Sequence, residues 1–107
     1  MTSESTTVLR IEHTVPDFDQ WKREGFDRDP LGREESGVRR YRVLRLCDRS
    51  GVVAVDLEFD SRAAAEAFAD ALGQMWAGVR DRFGWEELPQ ARIFELASAL
   101  EYSPSVG

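Results

Sequence analysis

Residues 52–59 read VVAVDLEF. Val53, Val55, Leu57 and Phe59 are apolar, while Asp56 and Glu58 between them are charged. A period of two is the signature of a strand, which shows alternate side chains to opposite faces. One face of the sheet holding this strand meets a core. The other carries charge and does not read as a simple core.

The neighbouring segments extend that constraint. Upstream, VRRYRVLRLC (38–47) is also rich in strand formers, and a short Asp/Ser/Gly turn joins the two runs as a hairpin. Its register is open from sequence. A two-residue loop at Arg49-Ser50 sets Tyr41 opposite Glu58. A three-residue loop sets Arg42 there and groups Tyr41 and Val43 with the core face. We expect the second arrangement, with Arg45 the charged exception on that face. A one-residue slip would turn every side chain over. Downstream, Ser61 stands at an N-cap position. Phe68, Leu72, Met75, Trp76, Val79 and Phe83 then recur at helical spacing. This predicts a helix to about Phe83, stopped by Gly84.

Towards the N-terminus, Leu9, Ile11 and His13 alternate with Val8, Arg10 and Glu12, which predicts a strand over 7–13. Asp17 is the expected N-cap of a following helix, with Gln20 as its capping-box partner. Phe18, Trp21, Gly25 and Phe26 lie along one face of it. Residues 29–37 form a connection with room for one helical turn. Pro89 precedes a last predicted strand over 90–96. The expected organisation is a disordered segment at 1–6, one domain at 7–96, and a tail at 97–107 that is either frayed or docked on a partner.

Composition narrows the function classes. A chain of 107 residues suits a single domain, and 32% charged residues with 42% hydrophobic suits a globular one. The net charge of −6 argues against nucleic acid or an anionic membrane as partner. No apolar run is long enough to span a bilayer. The start MTSESTT has neither the basic nor the apolar region of a signal peptide, and Cys47 is the only cysteine, so the expected location is cytoplasmic. No Cys/His cluster has metal-ligand spacing, and no glycine-rich phosphate loop is present. The expectation is no cofactor and no metal. Cys47 beside Asp48 reads as a structural thiol.

The order is β-α-β-β-α-β, an α+β ferredoxin-like fold: a four-stranded antiparallel sheet with two helices on one face. This layout, the GVRRYRVLR…VVAVDLEFDSRAAAEAF hairpin-plus-helix and the aromatic first helix resemble the dimeric α/β-barrel superfamily over residues 7–96. The resemblance is to its antibiotic-biosynthesis-monooxygenase-like, uncharacterised branch. It implies a homodimer with two sheets packed face to face, placing Arg10, Glu12, Asp56 and Glu58 between subunits. Carboxylates buried there need arginine partners, and 38–47 offers Arg39, Arg40, Arg42 and Arg45. A solvated ion-pair surface is the other reading of the same charges. The superfamily spans cofactor-free quinone-forming monooxygenases, haem-degrading monooxygenases, muconolactone isomerases and stress-responsive proteins, so the fold leaves function open. The resemblance implies that both oxygenase branches use an asparagine with a tryptophan. This chain contains no asparagine, which argues against both activities unless Gln20 or Gln90 replaces the amide. The lone histidine is on a strand, whereas the haem ligand of that branch is on a helix.

The candidate site follows from the same resemblance, which implies a cavity between sheet and helices near strand ends. His13 is the candidate catalytic base; alternatively its ring nitrogens satisfy the strand-to-helix turn. Trp21, Tyr41, Arg45 and Trp76 are the candidate substrate-binding residues, with Arg45 to stabilise an anion. Trp21 and Trp76 also fit helix stripes facing a core. The expected ligand is a small aromatic or polyketide-like molecule, bound and, if transformed, oxidised or isomerised without a cofactor. Redox chemistry would require molecular oxygen and an activated substrate anion. The alternative is a non-catalytic dimeric binding or interaction protein.

Overall fold

The computed structural model describes residues 6–49, 51–83 and 88–104, apart from the side chains at 82 and 83. Ser50, the Gly84 stop, Trp85 and the Phe83 side chain therefore lie outside the described residues.

Strand β1 (Thr7–Thr14) leads to helix α1 (Phe18–Glu24) and a 3-10 turn (Phe26–Arg28). The hairpin β2 (Val38–Arg45) and β3 (Val52–Phe59) follows, then helix α2 (Arg62–Phe83) and strand β4 (Gln90–Glu95). The sheet order is β2-β3-β1-β4 and every pairing is antiparallel. This is the ferredoxin-like β-α-β-β-α-β topology.

Period-two patterning sets the faces. Leu9, Leu57 and Phe59 have 0–2% exposure and pack with Val55, Phe68 and Leu72 in one cluster. Burying each such side chain stabilises the fold by about 1.5–3 kcal/mol. Trp21 and Phe26 from the α1 region and Met75 and Trp76 from α2 pack on the same cluster, so both helices cover one face. The other face is open.

Both expected helix caps are present: Asp17 accepts from Gln20 N at 3.1 Å, and Ser61 Oγ accepts from Ala64 N at 3.2 Å. The reciprocal half of the capping box is absent, because the Gln20 amide turns along the helix to Glu24 at 3.1 Å. Helix α1 ends at Gly25, whose N–H bonds Trp21 O. Phe26 therefore belongs to the separate 3-10 turn rather than to the helix.

The hairpin register corrects the expectation. Arg40, not Arg42, lies opposite Glu58, and Arg42 lies opposite Asp56. The faces are as expected, since Tyr41 pairs with Leu57 and Val43 with Val55. The connection is longer than three residues. β2 ends at Arg45 rather than Cys47, and one further bond, Leu46 N to Val52 O at 3.0 Å, sets where the two strands part. Gly51 closes it with φ +89°, and a Cβ there would meet Val15 O at 2.7 Å. Glycine is needed for both reasons. An irregularity between Val38 and Arg40 absorbs the mismatch at the other end.

Candidate functional site

The register lines up three residues across the helix-facing side at one end of the sheet. His13 is opposite Val53, and Val53 is opposite Arg45. With neighbouring strands about 4.8 Å apart, His13 and Arg45 start about 10 Å from each other. His13 is half-buried. Burial holds its pKa below the ordinary 6.5, so the imidazole is neutral at pH 7.

Helix α1 and the 3-10 turn after it bring aromatic residues over Arg45 and Tyr41 of β2. The Phe18 and Trp21 rings are 5.8 Å apart, Trp21 and Phe26 5.6 Å, and Phe26 meets Tyr41 edge-on at 5.0 Å. These four rings form a continuous chain from α1 to the middle of β2. Two arginines lie against it. The Arg45 guanidinium is 4.4 Å from the Phe18 ring centre. Arg33 is 3.9 Å from Phe26 and 5.1 Å from Tyr41. Such contacts contribute about 0.5–1 kcal/mol at exposed sites and more when desolvated.

Arg33 was not singled out from sequence. It donates from Nη1 to Phe26 O at 2.8 Å, and its backbone N–H donates to Asp29 Oδ1 at 2.8 Å. Asp29 itself takes the left-handed conformation, φ 50°, which aspartate tolerates better than most residues. The Asp-x-x-x-Arg spacing was the available signal; the aromatic rings it serves come from distant elements.

The structure thus joins Trp21, Tyr41 and Arg45 through one aromatic chain and sets His13 in the same row as Arg45. Trp76 stands apart from that chain, half-buried on α2 against the core. Neither glutamine replaces an amide beside His13. Gln20 is exposed on α1, and Gln90 pairs with Glu12 on the open face. Two surface clefts lie elsewhere. One of about 400 Å³ is lined by Thr6, Arg39, Arg40, Glu58, Phe59 and Asp60. The other, about 250 Å³, lies between Leu31, Ser36 and the Ala64–Ala71 side of α2. Among the described residues, no group of three or more His, Cys, Asp or Glu is placed to hold a metal ion. No described helix is long and apolar enough to cross a membrane.

On the open face, Asp56 is buried although it points away from the helices, with its side chain 3% exposed. Arg10 donates to it from Nε at 2.7 Å and Nη2 at 2.8 Å, and Arg42 Nη2 adds a bond at 3.2 Å. The hydrogen bonds from Arg10 hold the carboxyl below its ordinary pKa against the opposing effect of burial. Around it, Arg40 faces Glu58 at 3.8 Å and Arg92 faces Glu12 at 3.6 Å. Arg39 leaves this set for Asp60, at 2.6 Å on the exposed rim.

Together these features define a ferredoxin-like α+β domain with a cation-clad aromatic cluster on its helix side and an ion-paired open sheet face. Among solved structures, the chain is similar to a dimeric ferredoxin-like protein from an uncultured marine organism. The TM-score is 0.60 and the identity 13%, over 91% of this chain and 100% of that one. At that identity the likeness shows the fold. No protein-family model and no curated protein matches the chain.

Proposed function

We propose that this chain is a homodimeric α/β-barrel protein that binds a small planar aromatic molecule at the helix-side rim marked by His13 and Arg45. The observation that carries the reading is that Arg45, in register with Val53 and His13, lies 4.4 Å from the Phe18 ring at the end of the Phe18–Trp21–Phe26–Tyr41 chain. Rings offer stacking faces, Arg45 offers a charge for an enolate or carboxylate, and neutral His13 is in the protonation state of a base. A phenolic or polyketide-like ligand matches these groups. Transformation without a resident cofactor would begin with His13 taking a proton and Arg45 holding the anion, and oxidation would need molecular oxygen as oxidant.

The dimer half of the proposal rests on the open face. Val8, Leu44, Leu46 and Phe94 surround charges that are already paired within the chain, and the solved relative is described as dimeric. Light scattering at micromolar concentration is expected to give twice the 12.2 kDa chain mass. A face-to-face interface should bury more than ~1,000 Å² in total.

Calorimetric titration with naphthols and hydroxyanthraquinones tests the ligand half. Binding that weakens in both His13→Ala and Arg45→Ala, with melting temperatures little changed, supports it. Neither surface cleft touches His13, and that observation favours a second reading, a non-catalytic protein whose dimer is its function. Absence of binding across the panel, with a dimer intact, would establish the second reading over the first.

A further inference from the structure

The open sheet face is charged across its middle and apolar at two diagonally opposite corners. The middle row runs Arg42, Asp56, Arg10, Arg92. One row towards the end of β4 stands Phe94, opposite Val8, followed by Leu96, whose N–H donates to Thr6 O at 2.8 Å. One row the other way, at the far edge on β2, stands Leu44, opposite Ala54, followed by Leu46. Phe94 and Leu96 are 46% and 40% exposed; Leu44 and Leu46 are 39% and 51% exposed. Beyond Leu96 the chain continues through residues 97–104 without helix or strand, every residue exposed. Leu100 and Tyr102 reach 74% and 85% exposure.

We propose that this C-terminal arm, residues 97–104, clamps a second copy of the chain by passing from that copy's Leu44/Leu46 corner around the outer edge of its β2, with Leu100 and Tyr102 as anchors. The inference rests on the homodimer reading above and specifies how that dimer is locked. A twofold axis in the interface plane, along the diagonal that joins the two other corners, sets the Phe94/Leu96 corner of each copy over the Leu44/Leu46 corner of the other. Strands then cross at close to a right angle, one of the two favoured ways for sheets to pack. The contact is isologous, so both arms are exchanged.

Charge and reach agree with this occupant. Arg10 and Arg42 are already bound to Asp56, so stacking two faces leaves no carboxylate of the middle row unpaired. The arm, ASALEYSP, carries Glu101 and no basic residue, which does not suit an acidic lipid surface or nucleic acid. Six residues from Leu96 to Tyr102 span up to about 20 Å when extended. An arm that starts over the partner's Leu44/Leu46 corner, on the edge strand β2, is therefore long enough to fold Leu100 and Tyr102 around that edge.

Sedimentation over a wide concentration range compares three proteins: the full chain, a chain ending at Leu96, and the full chain with Leu100→Ala and Tyr102→Ala. The arm is exposed, so circular dichroism and melting under monomeric conditions should match for all three. The full chain is expected to be dimeric, and both variants to dissociate at least about tenfold more readily, which is about 1.4 kcal/mol. Cys47, exposed in the single chain and adjacent to Leu46, gives a second readout. Its thiol should react more slowly in the full-length dimer than in either variant at equal dimer occupancy. A dimer whose dissociation and Cys47 reactivity are the same with and without the arm overturns the clamp while leaving the dimer standing. A monomeric full chain overturns both.

Discussion

Arg10 grips Asp56 with two nitrogens, Nε at 2.7 Å and Nη2 at 2.8 Å, on the sheet face that the helices do not cover. Asp56 sits between Leu57 and Val55, which enter the core, and its own side chain is 3% exposed on the opposite face of β3. Arg10 supplies the fork geometry that satisfies both oxygens. The pair is therefore worth more than the other ion pairs of that face, which are longer and wetter.

Asp56→Asn should destabilise the fold by about 1–3 kcal/mol, the cost of breaking charge-assisted bonds at a buried acceptor. The folded carboxyl titrates below its ordinary 3.8. Its contribution is complete above that value and is lost as pH falls through the depressed folded pKa. Urea melts at pH 7 and at pH 3 should show the wild-type advantage shrinking at the lower pH. An equal advantage at both would mean the ion pair does not carry the stability.

His13 gives a separate pH dependence. Burial lowers its pKa from 6.5, so the unfolded chain binds its proton first as the solution is acidified. Stability is full above about pH 6.5 and declines as pH falls through the folded value. His13→Gln should flatten the melting temperature between pH 7 and pH 5 relative to wild type. Identical slopes would show that the imidazole is as well hydrated in the fold as outside it.

Leu72 is 8% exposed and belongs to the same cluster as Phe68, Val55 and Leu57. Leu72→Ala should cost about 2–5 kcal/mol through lost burial and a residual cavity. Chemical denaturation measures it. A change below about 0.5 kcal/mol is the size expected of a surface site and would contradict the packing of α2.

Gly51→Ala probes the β2–β3 turn. The position has φ +89° and its missing Cβ lies 2.7 Å from Val15 O, so strain and collision add. A loss of about 1–3 kcal/mol is expected. Loosening there also moves the end of β1 relative to β2, so aromatic ligands that bind the wild type should bind this variant more weakly.

The faces and the local caps follow from short-range pattern. Alternation in VVAVDLEF and TVLRIEH assigns Leu57, Leu9 and His13 to the helix side and Asp56 and Arg10 to the open side, because side-chain direction in a strand depends only on parity. Asp17 and Ser61 cap their helices through bonds that span three residues. Which arginine meets which carboxylate depends instead on long-range pairing. A slip of two residues preserves every face, so hydrophobic patterning accepts Arg42 opposite Glu58 as readily as the observed Arg40. The Leu46–Val52 bond and the close approach of Gly51 to Val15 go with the observed register. The aromatic chain was beyond local reading for the same kind of reason. Trp21, Phe26 and Tyr41 meet because the 3-10 turn after α1 folds back over β2, and Arg33 completes the cluster from a connection whose spacing carries no apolar period.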